Sequence, residues 1–157
     1  MMYTRQQSRT IKQQFFTTLG QYLKPIPSAT DLPVHWLNYH TGVKDVFFRI
    51  ITQPEQVSVA LTFEQASPAM QRKFFSHLQQ LKTIFTAHCG THWVWHEQLT
   101  LSPNRQVAAV QTTLPGHNVL LQQQWPPIIA FCKKNLIALD AFWADTKEGF
   151  EWLQDNS

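Results

Sequence analysis

Two carboxylates next to neighbouring predicted strands are the residues best suited to hydrolytic chemistry. Asp45 begins a stretch rich in Phe, Val and Ile, and Glu64 ends the alternating stretch that follows it. Restriction-type nucleases use such a pair to hold a metal ion, and a nearby lysine activates water. Here Gln65 and Ala66 follow Glu64, so that lysine is missing. A divergent restriction-like nuclease or other hydrolase using Asp45 and Glu64 is therefore the alternative hypothesis, and we assign no catalytic residue.

A second group of candidate ligands comprises His88, Cys89, His92 and His96. In a strand, His92 and His96 would stand about 13 Å apart at ~3.3 Å per residue, too far to bind one ion together. The first three residues converge only if the chain turns at Gly90, whereas structural zinc sites usually have two pairs of ligands. A histidine at a helix end is also explained by the favourable placement of a cation near the last carbonyls. We predict no metal site and no cofactor.

Motifs for phosphate binding and for nucleophilic catalysis are missing from the sequence. The five glycines are isolated from one another, whereas a Walker loop or a dinucleotide fingerprint needs clustered glycines. No Gly-x-Ser-x-Gly motif occurs, and neither cysteine lies in a reactive motif. This pattern favours a non-catalytic binding module over an enzyme.

Basic and aromatic residues supply the candidate binding surfaces. Arg5, Arg9 and Lys12 lie along one flank of a predicted N-terminal helix, where they face either phosphates or solvent. The stretch WLNYHTGVKDVFFRI adds four polar candidates for binding: Asn38, Tyr39, His40 and Lys44. Trp93 and Trp95 share a strand face without a neighbouring Lys or Arg, so core packing is favoured over stacking on bases. We predict that the module binds a protein or a nucleic acid.

Composition indicates the class of protein. A chain of 157 residues, 43% of them hydrophobic, suits a single domain with its own core, which we place over residues 1–157. Only 15% of residues are charged, and such a surface resists self-association poorly, so we predict a homo-oligomer, most simply a homodimer. The N-terminal residues lack a signal-peptide pattern and no run of about 18 apolar residues occurs, which predicts a cytoplasmic location without a membrane partner.

Hydrophobic periodicity predicts an α+β fold with the order α-β-β-β-α-β-β-α. The predicted elements are helix 4–23, strands 36–40, 45–52 and 57–63, helix 67–90, strands 92–101 and 105–114, and a long helix from 125. In the first helix, the stripe facing the core is predicted to be Ile11, Phe15, Leu19 and Tyr22. Because hairpins dominate, the five strands should form a largely antiparallel sheet with helices packed on it. A restriction-endonuclease-like core is compatible with this order.

Two of the predicted strands differ in their pattern. The strand at 45–52 is apolar on both faces, which predicts a central position with both faces covered. An arginine embedded there, Arg49, needs a carboxylate partner, and Glu64 and Asp140 are the candidates. The strand at 57–63 alternates apolar with mostly polar residues, which predicts a single buried face.

Three stretches, LGQYLKPIPSA, WLNYHTGVKDVFFRI and WPPIIAFCKKNLIALDAFW, resemble a bacterial family of domains of unknown function. The resemblance extends over roughly residues 9–150. The family is known as small free-standing proteins, and more distant relatives are fused behind restriction-endonuclease-like modules. No catalytic residue is assigned in it, so the resemblance implies none here. The fusions imply an association with defence or with DNA transactions, by analogy alone.

Overall fold

Four helices and four strands make up the fold in a computed structural model that describes residues 3–157. In chain order they are α1 (Arg5–Leu23), β1 (Val46–Gln53), β2 (Gln56–Phe63), α2 (Pro68–Gln80), α3 (Lys82–Cys89), β3 (Val94–Ser102), β4 (Arg105–Pro115) and α4 (Trp125–Asp155). Short 3₁₀ turns at Trp36–Asn38 and Gln122–Gln124 precede β1 and α4. The α+β class is confirmed.

The sheet is antiparallel throughout and has the order β1-β2-β4-β3. Each hairpin closes with a two-residue turn, since Gln53 pairs with Gln56 and Ser102 with Arg105. Because β4 returns beside β2, the central strands are β2 and β4, and β1 lies at an edge. The prediction that the strand at 45–52 is central is therefore wrong. Apolar residues on both of its faces did not fix its place, because strand order depends on long-range pairing.

The predicted fifth strand, residues 36–40, is a 3₁₀ turn, so the five-stranded prediction is wrong by one strand. Asn38 donates its backbone N–H to the His35 carbonyl at 3.2 Å, which closes a tight turn instead of joining the sheet. Trp36 is buried, and its indole Nε1 donates to the Ile26 carbonyl at 2.9 Å. The aromatic residues that suggested a strand therefore fix this segment to the Pro-rich connector before it.

Local signals place the ends of α1 well. Thr4 and Gln7 form a reciprocal capping box. The Gln7 N–H donates to Thr4 Oγ1 at 3.0 Å, and the Thr4 N–H donates to Gln7 Oε1 at 2.9 Å. Phe15 and Leu19 are buried as predicted, but Tyr22 is 59% exposed and Leu23 is buried in its place. The buried stripe thus keeps a spacing of four residues to the end of the helix, and the assignment of Tyr22 to the core is wrong.

The predicted helix 67–90 begins and ends as expected but is interrupted. Ser67 caps it by accepting from the Met70 N–H at 3.3 Å, and Pro68 occupies the first turn. Gly90 ends it with φ 88°, a conformation that favours glycine. Leu81, with φ −96° and ψ 14°, breaks the helix into α2 and α3. Phe74 of α2 and Phe85 of α3 both lie in the core.

The core lies between one face of the sheet and all four helices. Val59, Leu61 and Phe63 of β2 pack in the same cluster as Phe15 of α1 and Phe142 of α4. Every buried apolar residue of the helices belongs to this cluster. In the described part of the chain, no helix is both long and apolar enough to span a membrane.

Candidate functional site

The sheet face opposite the core carries no helix among residues 3–157. Directly paired residues of antiparallel strands point to the same face, so the strand register defines this one. We call it the open face; its members are Phe47, Arg49, Ile51, Ser58, Ala60, Thr62, Val94, His96, Leu99, Val107, Ala109, Gln111 and Thr113. Ala60, Val107 and Ala109 are buried but do not belong to the core cluster. Longer side chains around these residues therefore cover them, and together they form a platform.

The small residues of β2 on this platform overturn a second expectation. Ser58, Ala60 and Thr62 are all buried, so β2 has two buried faces instead of one. Ser58 and Thr113 share a hydrogen bond of 2.9 Å across the strands, which satisfies their hydroxyl groups at this position. Short side chains are buried here because β2 is a central strand and the side chains on the neighbouring strands are longer.

An ion cluster occupies one end of the open face, with Glu64 at its centre. Arg49 donates to both carboxylate oxygens, from Nε at 2.8 Å and from Nη2 at 2.9 Å. Arg105 and Thr62 donate to the same carboxylate. The Arg49 guanidinium also lies 4.1 Å from the centroid of the Phe47 ring, in a cation–π contact. Of the two carboxylates considered for Arg49, Glu64 is the partner.

Two opposing effects act on the pKa of Glu64. Burial favours the neutral acid, but the hydrogen bonds from Arg49 and Thr62 and the charges of Arg49 and Arg105 favour the carboxylate. The net result is a pKa below its ordinary value. Asp45 has a positive φ of 62°, and its backbone carbonyl accepts from the Glu64 N–H at 2.7 Å. The Glu64 carboxylate is thus occupied by cations of the chain itself.

The four polar residues of the first stretch have separate surroundings. Asn38, His40 and Lys44 are exposed, and the Lys44 backbone N–H donates to Gln154 Oε1 at 2.6 Å. Tyr39 is half-buried against Phe48, with ring centroids 4.1 Å apart.

Tyr39 belongs to a buried polar cluster on α4. Its hydroxyl donates to Asp140 at 2.5 Å, and Ser28 Oγ and the Ala29 N–H donate to the same carboxylate at 2.8 Å and 2.7 Å. Burial raises the pKa of Tyr39, and the hydrogen bond to Asp140 and its charge raise it further. Asp140, the other carboxylate considered for Arg49, thus anchors the connector between α1 and β1 to α4.

The basic residues of α1 form a continuous exposed stripe. Arg5, Arg9 and Lys12 are all exposed, and they line a shallow concavity together with Tyr3 and Ser8. Their helix contains no acidic residue. None of the ion pairs within residues 3–157 involves these three side chains. Their positive charges are therefore not compensated by any ion pair in the described part of the chain.

The same side of α1 leads from this stripe into a cleft at the edge of β1. Phe16 follows Lys12 by four residues, which continues the spacing of four and three in the basic stripe. Phe16 lines a cleft of about 370 Å³ together with Trp36, Phe48 and Arg49. Basic and aromatic groups thus adjoin along one line on the surface.

The histidine and cysteine group around Gly90 has other contacts. His88 Nε2 lies 2.6 Å from a carboxylate oxygen of Asp145, and Cys89 is buried, which raises the pKa of its thiol to about 12. Cys132 is also buried, and burial raises the pKa of its thiol to about 12. Within residues 3–157 no group of three His, Cys, Asp or Glu side chains is placed to hold a metal ion.

The tryptophan pair of the second hairpin packs into the core, as predicted. The Trp93 and Phe85 rings meet edge to face at 5.3 Å, and Trp93 Nε1 donates to the Cys89 carbonyl at 2.9 Å. Trp95 contacts the rings of Phe75 and Phe85 at 6.2 Å and 5.4 Å.

Comparison with known families gives one match. The sequence pattern of DUF4268, a domain of unknown function, matches residues 11–147. The chain belongs to this family. No curated protein matches the chain, and no solved structure does. The expected membership of a family of domains of unknown function is confirmed. The DUF4268 match carries no information on fusion to restriction-endonuclease-like modules.

Several features of this DUF4268 chain escaped the sequence analysis. Arg105 lies at a hairpin turn, and its contact with Glu64 spans 41 residues of sequence, so local spacing gave no signal. The sequence did contain a signal for Thr62, because strand alternation places it on the same face as Glu64. The open face itself was missed because β1 looked covered on both sides.

Proposed function

We propose that the chain is a non-catalytic module that binds single-stranded nucleic acid along the basic stripe of α1. The observation that carries the proposal is the uncompensated charge of Arg5, Arg9 and Lys12 beside the cleft that holds Phe16 and Arg49. Cations of a protein bind nucleic-acid phosphates independently of sequence and release counterions when they do so. The formal net charge of +3 agrees in sign with such a ligand.

The geometry suits a flexible strand. From Arg5 to Lys12 the helix rises about 10 Å at ~1.5 Å per residue, so one backbone stretch can contact all three side chains. Aromatic rings and guanidinium planes stack on unpaired bases, and Phe16 and Arg49 supply both at the end of the stripe. An acidic protein would use the charges but would leave the aromatic cleft without a role, which favours nucleic acid over protein.

The hydrolase alternative, with Asp45 and Glu64 as its carboxylates, has no specific observation in its favour. Glu64 accepts hydrogen bonds from Arg49, Arg105 and Thr62, whereas a metal site requires its carboxylate oxygens to bind the cation. Among the candidate binding residues of the first stretch, Asn38, His40 and Lys44 lie outside the stripe proposed here.

A comparison of two triple variants tests the proposal. Arg5→Ala/Arg9→Ala/Lys12→Ala removes the stripe, and Arg72→Ala/Lys73→Ala/Lys82→Ala removes three exposed cations from α2 and α3. Each variant lowers the formal net charge from +3 to 0. Fluorescence anisotropy with a labelled single-stranded 15-mer, as DNA and as RNA, gives the affinity at several salt concentrations.

The stripe variant should lose at least about tenfold in affinity, and the slope of log K against log salt should fall by about 2, since each contact with a single strand contributes ~0.7. The control variant should keep most of the wild-type affinity and most of the wild-type salt slope. Equal losses of affinity in the two variants would show that only net charge matters, and would refute the stripe as the binding site. Binding of a polyglutamate peptide but of neither oligonucleotide would show an acidic protein ligand instead.

A further inference from the structure

The open face carries apolar residues that the proposed nucleic-acid site does not use, since that site reaches this face only at Arg49. Val94, on edge strand β3, is 55% exposed, and Phe47 and Ile51 on edge strand β1 are half-buried. Neither Phe47 nor Ile51 packs against the core cluster. Antiparallel sheets often leave one face to solvent, but that face is then usually polar. Apolar residues on both edge strands therefore indicate that another surface covers this one.

The size of the face is close to what a specific interface needs. Strands of eight residues at ~3.3 Å per residue are about 26 Å long, and four strands at ~4.8 Å spacing are about 19 Å wide. Each protomer would therefore contribute a footprint of about 500 Å², and two would bury about 1,000 Å² in total, the lower limit for specific association. A sheet face of this size can pack on a second sheet face, as in a β-sandwich.

The charges of the face are arranged for pairing with itself. Arg49 and Arg105 share a single carboxylate, Glu64, at one end, so this ion cluster keeps a net positive charge. Glu55 is exposed in the β1–β2 turn at the opposite end. A two-fold axis that lies between the two faces and runs perpendicular to the strands brings the positive end of one copy to the negative end of the other, and a two-fold interface must be self-complementary in this way.

We propose that the open face binds a second copy of this chain, sheet against sheet, to form a two-fold homodimer. The apolar contact comes from Phe47, Ile51 and Val94, and the pairing of Arg105 with Glu55 of the other copy sets the direction of the strands. The dimer leaves the basic stripe of α1 outside the interface. Arg49 is common to the open face and to the proposed nucleic-acid site, but the variants that test the two proposals share no residue, so the two proposals can fail separately.

Light scattering on a size-exclusion column measures the mass of the full chain directly. The wild type should have a mass of about 37 kDa, twice that of the 18.3 kDa chain, at the ~100 µM concentrations that a small interface requires. Val94→Glu and Ile51→Glu each place two charges in the dimer interface and should raise the dissociation constant at least tenfold. Ile84→Glu is the matched control, because Ile84 is exposed on α3 away from the face.

Circular dichroism of each variant confirms that the monomer is folded before its mass is interpreted. Glu55→Arg adds a charge test: it should raise the dissociation constant several-fold, because like charges then meet at both ends of the interface. A monomeric wild type would overturn the proposal, as would dimers of wild-type affinity from both Val94→Glu and Ile51→Glu. Equal dissociation of the Ile84→Glu control would place the interface elsewhere and would also refute it.

Discussion

The ion pair between Arg49 and Glu64 predicts unequal costs for substitutions at its two ends. The Glu64 side chain is fully buried, whereas the Arg49 side chain is 39% exposed. Arg49→Met therefore leaves a buried carboxylate short of two donors, and Glu64→Gln leaves arginines that water can still reach. We expect Arg49→Met to be the more destabilising of the two, although the ion pair has the same two partners in both cases.

The magnitudes follow from the hydrogen bonds. Two charge-assisted bonds are worth about 1.5–3 kcal/mol each in buried surroundings, and the exposure of Arg49 reduces their sum, because water screens the pair. We expect Arg49→Met to lower the free energy of unfolding by about 2–3 kcal/mol and Glu64→Gln by about 1 kcal/mol. The double variant should be more stable than Arg49→Met alone, because no unpaired carboxylate remains.

Urea unfolding at pH 7 and at pH 3.5, followed by tryptophan fluorescence, measures these differences. The folded-state pKa of Glu64 lies below its ordinary value of 4.5, so its contribution is fully present above about pH 4.5 and is lost as the pH falls through the lower folded pKa. The cost of Arg49→Met should accordingly shrink at pH 3.5. A Glu64→Gln cost equal to or larger than that of Arg49→Met would refute the reasoning.

Three further predictions concern groups away from this ion pair. Both amide atoms of Gln65 are buried without a hydrogen-bond partner among residues 3–157, so Gln65→Met should raise the free energy of unfolding by about 1 kcal/mol. Gln71→Met removes donors to two carbonyls and should lower the free energy of unfolding. Urea unfolding of both variants checks this contrast. Tyr39→Phe keeps the ring but removes one of three donors to Asp140, so it should cost about 1–2 kcal/mol in the same assay, and a neutral result would contradict this role. Burial lowers the pKa of His77 below its ordinary 6.5, so its contribution is present above pH 6.5 and is lost as the pH falls below it; His77→Gln should flatten stability between pH 7.5 and 5.5, and an unchanged slope would refute the assignment.

Element boundaries were predictable where a local group satisfies a helix end. The helix starts at Thr4 and at Ser67–Pro68 and the helix stop at Gly90 agree with the predicted bounds 4 and 67–90. Such signals depend on contacts between residues up to three positions apart. The two hairpins were equally accessible, because a short turn between apolar stretches leaves few alternatives.

The candidate site was predictable only in part. The need of Arg49 for a carboxylate followed from the cost of an unpaired charge, and Glu64 was one of two partners named. The candidate residues of the first stretch followed from polarity alone, and the structure gives Tyr39 a hydrogen bond to Asp140, 101 residues away. Polarity does not reveal whether a side chain faces solvent or a distant carboxylate.

The sequence by itself determined the α+β class, the starts of α1 and α2, the end of α3 at Gly90 and both hairpins, because these depend on residues close together in the chain. Tertiary structure alone decided that β4 lies beside β2, that the 36–40 segment stays outside the sheet, and which sheet face the helices cover. Strand order and coverage arise from pairing between segments far apart, where side-chain packing outweighs intrinsic strand propensity. The open face, with its apolar edge strands and the ion cluster at one end, is a product of that long-range choice.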